Sequence, residues 1–248
     1  MKDKIHIGTS GWSYKHWKTI FYPPKLTAVK WLEFYTQHFN TTELNASFYR
    51  LPLEQTVINW TKRVSKNFLF CVKMSRYLTH MKKLKEPEET LEKFFNLFEP
   101  MKSMMGPVLI QLPPSLKFNY DTADYLYSLL KKKYRKYAFV MEVRHPTWMQ
   151  EESLTLMSKY NIGLVISQSG DQFPYSEMIT AKNIYLRFHG PGELYASSYP
   201  DEMLEDFAAK FKKWVRKGHE VWAYFNNDIH GHAILDAKRL IALIKKEQ

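Results

Sequence analysis

Eight short apolar runs, separated by stretches of helical periodicity, constrain this chain more than any other feature of it. They fall at 5–9, 41–45, 68–72, 107–111, 138–141, 162–166, 184–189 and 221–225. A continuous apolar run suits a strand covered on both faces, and strands that alternate with helices pair in parallel. Helical spacing of apolar residues is read at 25–39, 53–64, 88–105, 121–134, 150–160, 201–217 and 229–246. Asp121 reads as an N-cap, and Gly218 as the residue just past a helix end. Residues 171–181 read as irregular. Eight strands, seven of them followed by a helix, predict an α/β chain folded as a (β/α)8 TIM barrel. The expectation is an eight-stranded parallel sheet closed on itself, in one domain spanning 1–248. The competing open doubly wound sheet would carry a glycine-rich phosphate turn after an early strand, and none is present.

The runs end in polar residues. The fifth reaches Glu142, Arg144 follows, and Pro146 stops the ladder because it has no N–H. Side chains alternate along a strand, so Glu142 and Arg144 share a face. The same spacing recurs in Glu43 and Asn45, Arg187 and His189, and Asn226 and Asp228. Lys73 and Gln111 end strands three and four. Barrel active sites lie at the C-terminal ends of strands, so these groups are expected around one pocket. The alternative is a salt-bridged plug whose charges satisfy one another.

The collected set is cationic: Lys73, Arg144 and Arg187, with His80, His145 and His189. Arginine offers a planar fork to carboxylate or phosphate, and lysine a point charge. The segment Gly190, Pro191, Gly192 and the segment Asn226, Asn227, Asp228 occupy places where such barrels often bind phosphate. The second runs toward a helix N-terminus, whose free N–H groups favour an anion. In the leading reading Glu142 is the general acid or base, Glu43 the second carboxylate, and His189 assists proton transfer. Asn45, Lys73, His80, Gln111, Arg144, Arg187 and Asn226 hold the substrate. Trp12, Tyr14 and Trp148 stack on a sugar or base. Arg187→Lys is expected to be damaging, since it keeps charge but loses the fork.

Lys and Arg number 36 against 25 Asp and Glu, a net charge of +11, which favours anionic partners. The lysine runs at 131–133, 210–213 and 245–246 read as solvated helix faces. Cys71 is the sole cysteine, which excludes an intramolecular disulfide and a cysteine-rich zinc site. No His-Glu-x-x-His motif is present, and arginines at the mouth oppose a bound cation, so no metal or cofactor is expected. A Gly-x-Ser-x-Gly elbow is also lacking. The start carries no apolar leader, and no run approaches the roughly 18 residues of a membrane span. A cytoplasmic protein without membrane contact is expected. Nothing in the sequence sets the oligomeric state.

Several motifs together resemble the YecE-like family, domain of unknown function 72. They are Gly8, Thr9, Ser10, Gly11 and Trp12 with Tyr14, Trp17, Phe21, Tyr22 and Pro23; Glu43, Leu44 and Asn45 with Phe48 and Tyr49; and Phe70, Val72 and Lys73 with Thr79 and His80. Gln111 to Pro114 follow, then Glu142, Arg144, His145 and Trp148, Tyr185, Arg187, His189 and Gly190, and Tyr224 to Asn227. The resemblance covers almost the whole chain in order and thins after strand six. It implies a TIM barrel and supplies no established reaction; analogy with sugar-isomerase and endonuclease barrels is analogy of fold. The function expected is an enzyme acting on a phosphorylated or otherwise anionic substrate, a sugar phosphate or a nucleic-acid derivative. The alternatives are a non-catalytic nucleic-acid-binding protein, and a metal-dependent phosphodiesterase or isomerase.

Overall fold

Each apolar run forms a strand where the sequence predicts it. In the computed structural model, which describes residues 4–246, the strands are β1 (Ile5–Thr9), β2 (Thr41–Leu44), β3 (Leu69–Val72), β4 (Val108–Gln111), β5 (Phe139–Glu142), β6 (Ile162–Gln168), β7 (Asn183–Phe188) and β8 (Glu220–Phe225). The helices are α1 (Trp31–Tyr35), α2 (Ala46–Tyr49), α3 (Glu54–Lys62), α4 (Glu88–Phe98), α5 (Tyr120–Lys133), α6 (Glu151–Tyr160), α7 (Asp201–Arg216) and α8 (His232–Lys246). No helix follows β6, as the irregular reading of 171–181 implies.

The expected closed ring of eight strands does not form. Six strands make one parallel sheet in the order β1-β8-β7-β6-β5-β4, and β2 and β3 make a separate parallel pair. The six-stranded sheet is a half-barrel whose two edges stand 14 Å apart. The pair lies between those edges, β2 against β1 and β3 against β4. Two local causes interrupt the ladder. Between β1 and β2, the Tyr35 hydroxyl accepts from the Thr9 N–H at 3.0 Å and donates to the Thr41 carbonyl at 3.1 Å. It thus takes two groups that a continuous ladder would pair with each other. The backbones are close here: a Cβ on Gly8 would lie 2.3 Å from the Thr41 carbonyl oxygen. Between β3 and β4, Pro107 enters the strand without an N–H. Isolated bridges cross there, Phe70 to Met105 and Lys73 to Leu109, with bonds such as Gly106 N–H to Phe70 and Met74 N–H to Leu109.

Helix boundaries moved for identifiable reasons. The helix expected at 25–39 is a 3-10 turn, Ala28–Lys30, then the short α1. Aromatic packing dominates that stretch: Tyr22 stacks on Trp31 with ring centroids 4.8 Å apart. The N-cap of α5 is Asn119, which accepts from Thr122 N–H at 2.9 Å, and Asp121 lies inside the first turn. Helix α4 continues as a 3-10 helix, Glu99–Met104, because Pro100 cannot donate an i−4 bond. Helix α8 begins at His232, later than 229. No helix is long and apolar enough to cross a membrane, among the described residues.

The main core packs helix faces against the outer faces of the strands. A smaller cluster joins Cys71, Leu109, Val140, Val165, Tyr185, Trp222 and Tyr224 from six strands. Alternation along the strands sets these residues on one face, and the polar residues toward the strand ends stack above them.

Candidate functional site

Glu43, Glu142 and Arg187 form a buried ionic network at the strand ends. Glu43 and Glu142 have no exposed surface and Arg187 has 2 %. The guanidinium grips Glu43 with both prongs, Nε to Oε2 at 2.9 Å and Nη2 to Oε1 at 2.7 Å. Its Nη1 donates to Glu142 Oε2 at 2.6 Å. Glu43 also accepts from Ser10 Oγ, Asn45 Nδ2 and the Tyr185 hydroxyl, at 2.9, 3.0 and 2.9 Å. Glu142 also accepts from Ser167 Oγ at 3.2 Å and Arg144 Nη2 at 3.3 Å. Burial alone would raise both carboxyls. The Arg187 charge overrides it, so Glu43 titrates below its ordinary value and Glu142 well below. Both stay ionised at neutral pH. They suit holding charge more than shuttling protons.

His189 is fixed as a neutral ring. Its Nε2 lies 3.2 Å from Glu142 Oε1, an acceptor only, so Nε2 carries the proton and donates. Asn226 Nδ2 donates to Nδ1 at 3.1 Å. Burial, the largest cause, lowers the pKa of His189. Both of its nitrogens are thus occupied within the protein.

A cavity of about 590 Å³ opens over this network, a size ordinary for a small-molecule site. Its lining includes Tyr14, Asn45, Phe48, Lys73, His80, Gln111, Arg144, Arg187, Tyr195, Asn226 and Asp228. Of the residues expected to hold a substrate, Asn45, Lys73, His80, Gln111, Arg144, Arg187, Asn226 and Tyr14 therefore share one pocket. Trp12 instead lines a neighbouring cavity and packs edge-on against Trp60 and Phe70. Trp148 is core: it is 1 % exposed, and its indole N–H donates to the Leu116 carbonyl. The glycine loop after β7 spends its amides internally, Gly190 N–H on the Tyr199 hydroxyl and Gly192 N–H on Ser197 Oγ.

Lys73 is the exception among the buried cations. It is 7 % exposed, its ammonium has no carboxylate partner among the described residues, and Nζ sits 4.0 Å from the centroid of the Phe48 ring. Burial first, then the nearby Arg187 charge, lowers its pKa to about 7. Arg144 is also incompletely satisfied. Among the described residues its only ionic contact is the 3.3 Å bond to Glu142 and its buried Nε has no partner, and its guanidinium lies over Phe173 at 4.0 Å. A third orphan is Asn45 Oδ1. Asn45 Nδ2 faces two acceptors, the Glu43 carboxylate and the Ser10 carbonyl, which fixes the amide orientation and leaves Oδ1 the free end.

Tyr185, Ser10, Ser167 and Phe48 serve the site but were not assigned to it from the sequence. Tyr185 was legible in principle, since it precedes Arg187 by two on the same strand face. Phe48 rides on α2, too short for its periodicity to be seen. No three His, Cys, Asp or Glu side chains converge as a metal-ligand set among the described residues.

Residues 6–248 match the family model described as "Protein of unknown function DUF72". The UPF0759 protein YunF of Bacillus subtilis is 26 % identical, the match covering 98 % of this chain and 95 % of that protein. The UPF0759 protein YecE of Escherichia coli K12 is 25 % identical over 85 % of this chain and 82 % of that one. Among solved structures, a DUF72 family protein from Thermotoga maritima superposes with a TM-score of 0.85 at 28 % identity, covering 97 % of this chain and 99 % of that one. A DUF72 family protein from Enterococcus faecalis gives 0.83 at 20 % identity, covering 97 % and 95 %, a likeness of fold. With the family model matched over residues 6–248 and the fold of a DUF72 family protein covering 97 % of it, the chain belongs to the DUF72 family.

Proposed function

We propose that the protein is an enzyme acting on a small anionic substrate bound between Lys73 and Arg144. The charge count at the mouth carries this reading. Two buried carboxylates, Glu43 and Glu142, are balanced by two guanidiniums, Arg187 and Arg144. Asp228, on the same lining, is taken up by His16 at 3.0 Å, so the protonated fraction of Lys73 is a charge with no carboxylate partner among the described residues. An uncompensated buried charge is costly, and a ligand anion supplies the missing partner. Arg144, whose buried Nε has no partner among the described residues, lines the same pocket and is the second cation available to that anion. Arg187, already satisfied by both carboxylates, maintains the network below.

The test is thermal unfolding with and without inorganic phosphate, for the wild type and Arg144→Gln. Phosphate should raise the wild-type melting temperature, and the rise should shrink in the variant. No rise in the wild type, or equal rises in both, defeats the reading. Stabilisation by an oligonucleotide that collapses steeply with added salt, without any by phosphate, would favour a nucleic-acid ligand instead.

A further inference from the structure

Resting on that reading, we infer that Lys73 is a nucleophile that forms an imine with the carbonyl carbon of a phosphorylated hydroxy-ketone or hydroxy-aldehyde. Three features of the pocket select this class. Lys73 is nine-tenths buried and faces the cavity without an ionic or hydrogen-bonded partner of its own among the described residues. Its backbone is held on both sides: its N–H donates to the Leu44 carbonyl at 3.0 Å, and its carbonyl accepts from Ser47 Oγ at 2.6 Å. The backbone is thus fixed, and the tip rests against the Phe48 ring on the cavity lining.

The second feature is the pair of orphans. Arg144 Nε is a donor without an acceptor, which an anionic group satisfies. Asn45 Oδ1 is an acceptor without a donor, which a hydroxyl satisfies. Both residues line the cavity, and a ligand that reaches these buried atoms carries an anion and a hydroxyl, with its electrophilic carbon toward Lys73.

The third feature is His80. Lys73 Nζ and the His80 ring flank the same Phe48 ring, at 4.0 and 5.0 Å from its centroid. The Thr79 hydroxyl lies 2.8 Å from His80 Nδ1 and 3.5 Å from the Ser75 carbonyl, and in the tautomer invoked for the reaction Nδ1–H donates to that hydroxyl. Nε2 is then left with a lone pair. Burial and the Lys73 and Arg144 charges lower the pKa of His80, which keeps that lone pair available at neutral pH.

The step balances with these groups and one proton drawn from solvent. The Lys73 nitrogen lone pair forms a C–N bond as the carbonyl π bond opens onto oxygen, which takes up that solvent proton. His80 accepts the proton lost from nitrogen and returns it to the carbinolamine hydroxyl, which leaves as water. The product is an iminium, and the anion held by Arg144 offsets its positive charge. No oxidant or reductant is required. The low pKa of Lys73 supplies the neutral amine for attack near pH 7.

The probes are dihydroxyacetone phosphate, which carries carbonyl, hydroxyl and phosphate, and pyruvate, which carries a carboxylate and no hydroxyl. The full-length protein is incubated with each at neutral pH, reduced with borohydride, and mapped by peptide mass spectrometry. The expected result is a reduced adduct on Lys73, formed more readily with dihydroxyacetone phosphate and suppressed by inorganic phosphate. Its formation should titrate near pH 7, well below an ordinary lysine. Lys73→Arg keeps the cation and removes the nucleophile, so it should lose the adduct yet still be stabilised by phosphate. No adduct on Lys73 with either probe, or the same labelling spread over surface lysines in Lys73→Arg, overturns the inference. If phosphate still stabilises the wild type in that case, the anion site stands and only the nucleophile falls.

Discussion

Arg187 and Lys73 are cations buried to a similar degree, and their partners divide their roles. Arg187 makes three ion-paired hydrogen bonds to two carboxylates, and Lys73 makes none among the described residues. The lysine should therefore be a liability to the fold. Its pKa falls from 10.5 to about 7 on folding. Between those values the unfolded chain binds a proton that the native state does not, so stability should rise as pH increases across that window. Below about 7 the native state carries the unpaired ammonium at a constant cost. Lys73→Met should then stabilise the protein at pH 7, by on the order of a few kcal/mol at most, since one pKa unit is about 1.4 kcal/mol. The gain should shrink toward pH 10.5. Urea unfolding across this pH range is the measurement, and a variant less stable than the wild type at pH 7 would count against an unpaired amine. A residue whose removal stabilises the fold is commonly one retained for activity.

Elements were legible from the sequence to the extent that their cause was local. All eight strands follow from apolar runs a few residues long, and Glu142 with Arg144 follow from simple alternation. The network of Glu43, Glu142 and Arg187 required only that three strands end at one place. Asn119 and Asp121 are both good caps two residues apart, and composition could not choose between them. Trp148 and Tyr14 look alike as aromatics near a strand end, yet one fills the core and the other lines the pocket. The break between β1 and β2 was not legible, because its cause is a single hydroxyl brought in from α1. Tyr35 bridges Thr9 and Thr41 across the line where β1 and β2 meet, and it also contacts Thr9 Oγ1 at 2.9 Å. Tyr35→Phe would keep the ring and leave a buried N–H and carbonyl with no bridge. It should cost about 1–3 kcal/mol in a urea titration, the penalty of an unsatisfied buried group. A loss near zero would mean that the two strands re-pair directly and that the bridge is dispensable.

At the scale of the molecule, the pocket straddles the division between the two sheets. Glu43, Asn45 and Lys73 belong to β2, β3 and the residues that end them. Glu142, Arg144, Arg187, His189 and Asn226 belong to the six-stranded sheet and its ends. The Arg187–Glu43 pair crosses that division, and a ligand anion held by both Lys73 and Arg144 would cross it a second time. The β2–β3 pair has few backbone bonds to its neighbours, so its amides are expected to exchange with solvent by local opening and not by global unfolding. Such an opening would dismantle the pocket. Phosphate at a hundredfold excess over its dissociation constant should then slow exchange in β2 and β3 by about 100-fold. Exchange in β2 and β3 unchanged by saturating phosphate would mean that the ligand does not span the division. If it does span it, hydrogen exchange at Leu44 or Val72 becomes a titration of the site, and ligands could be ranked by it before any reaction is known.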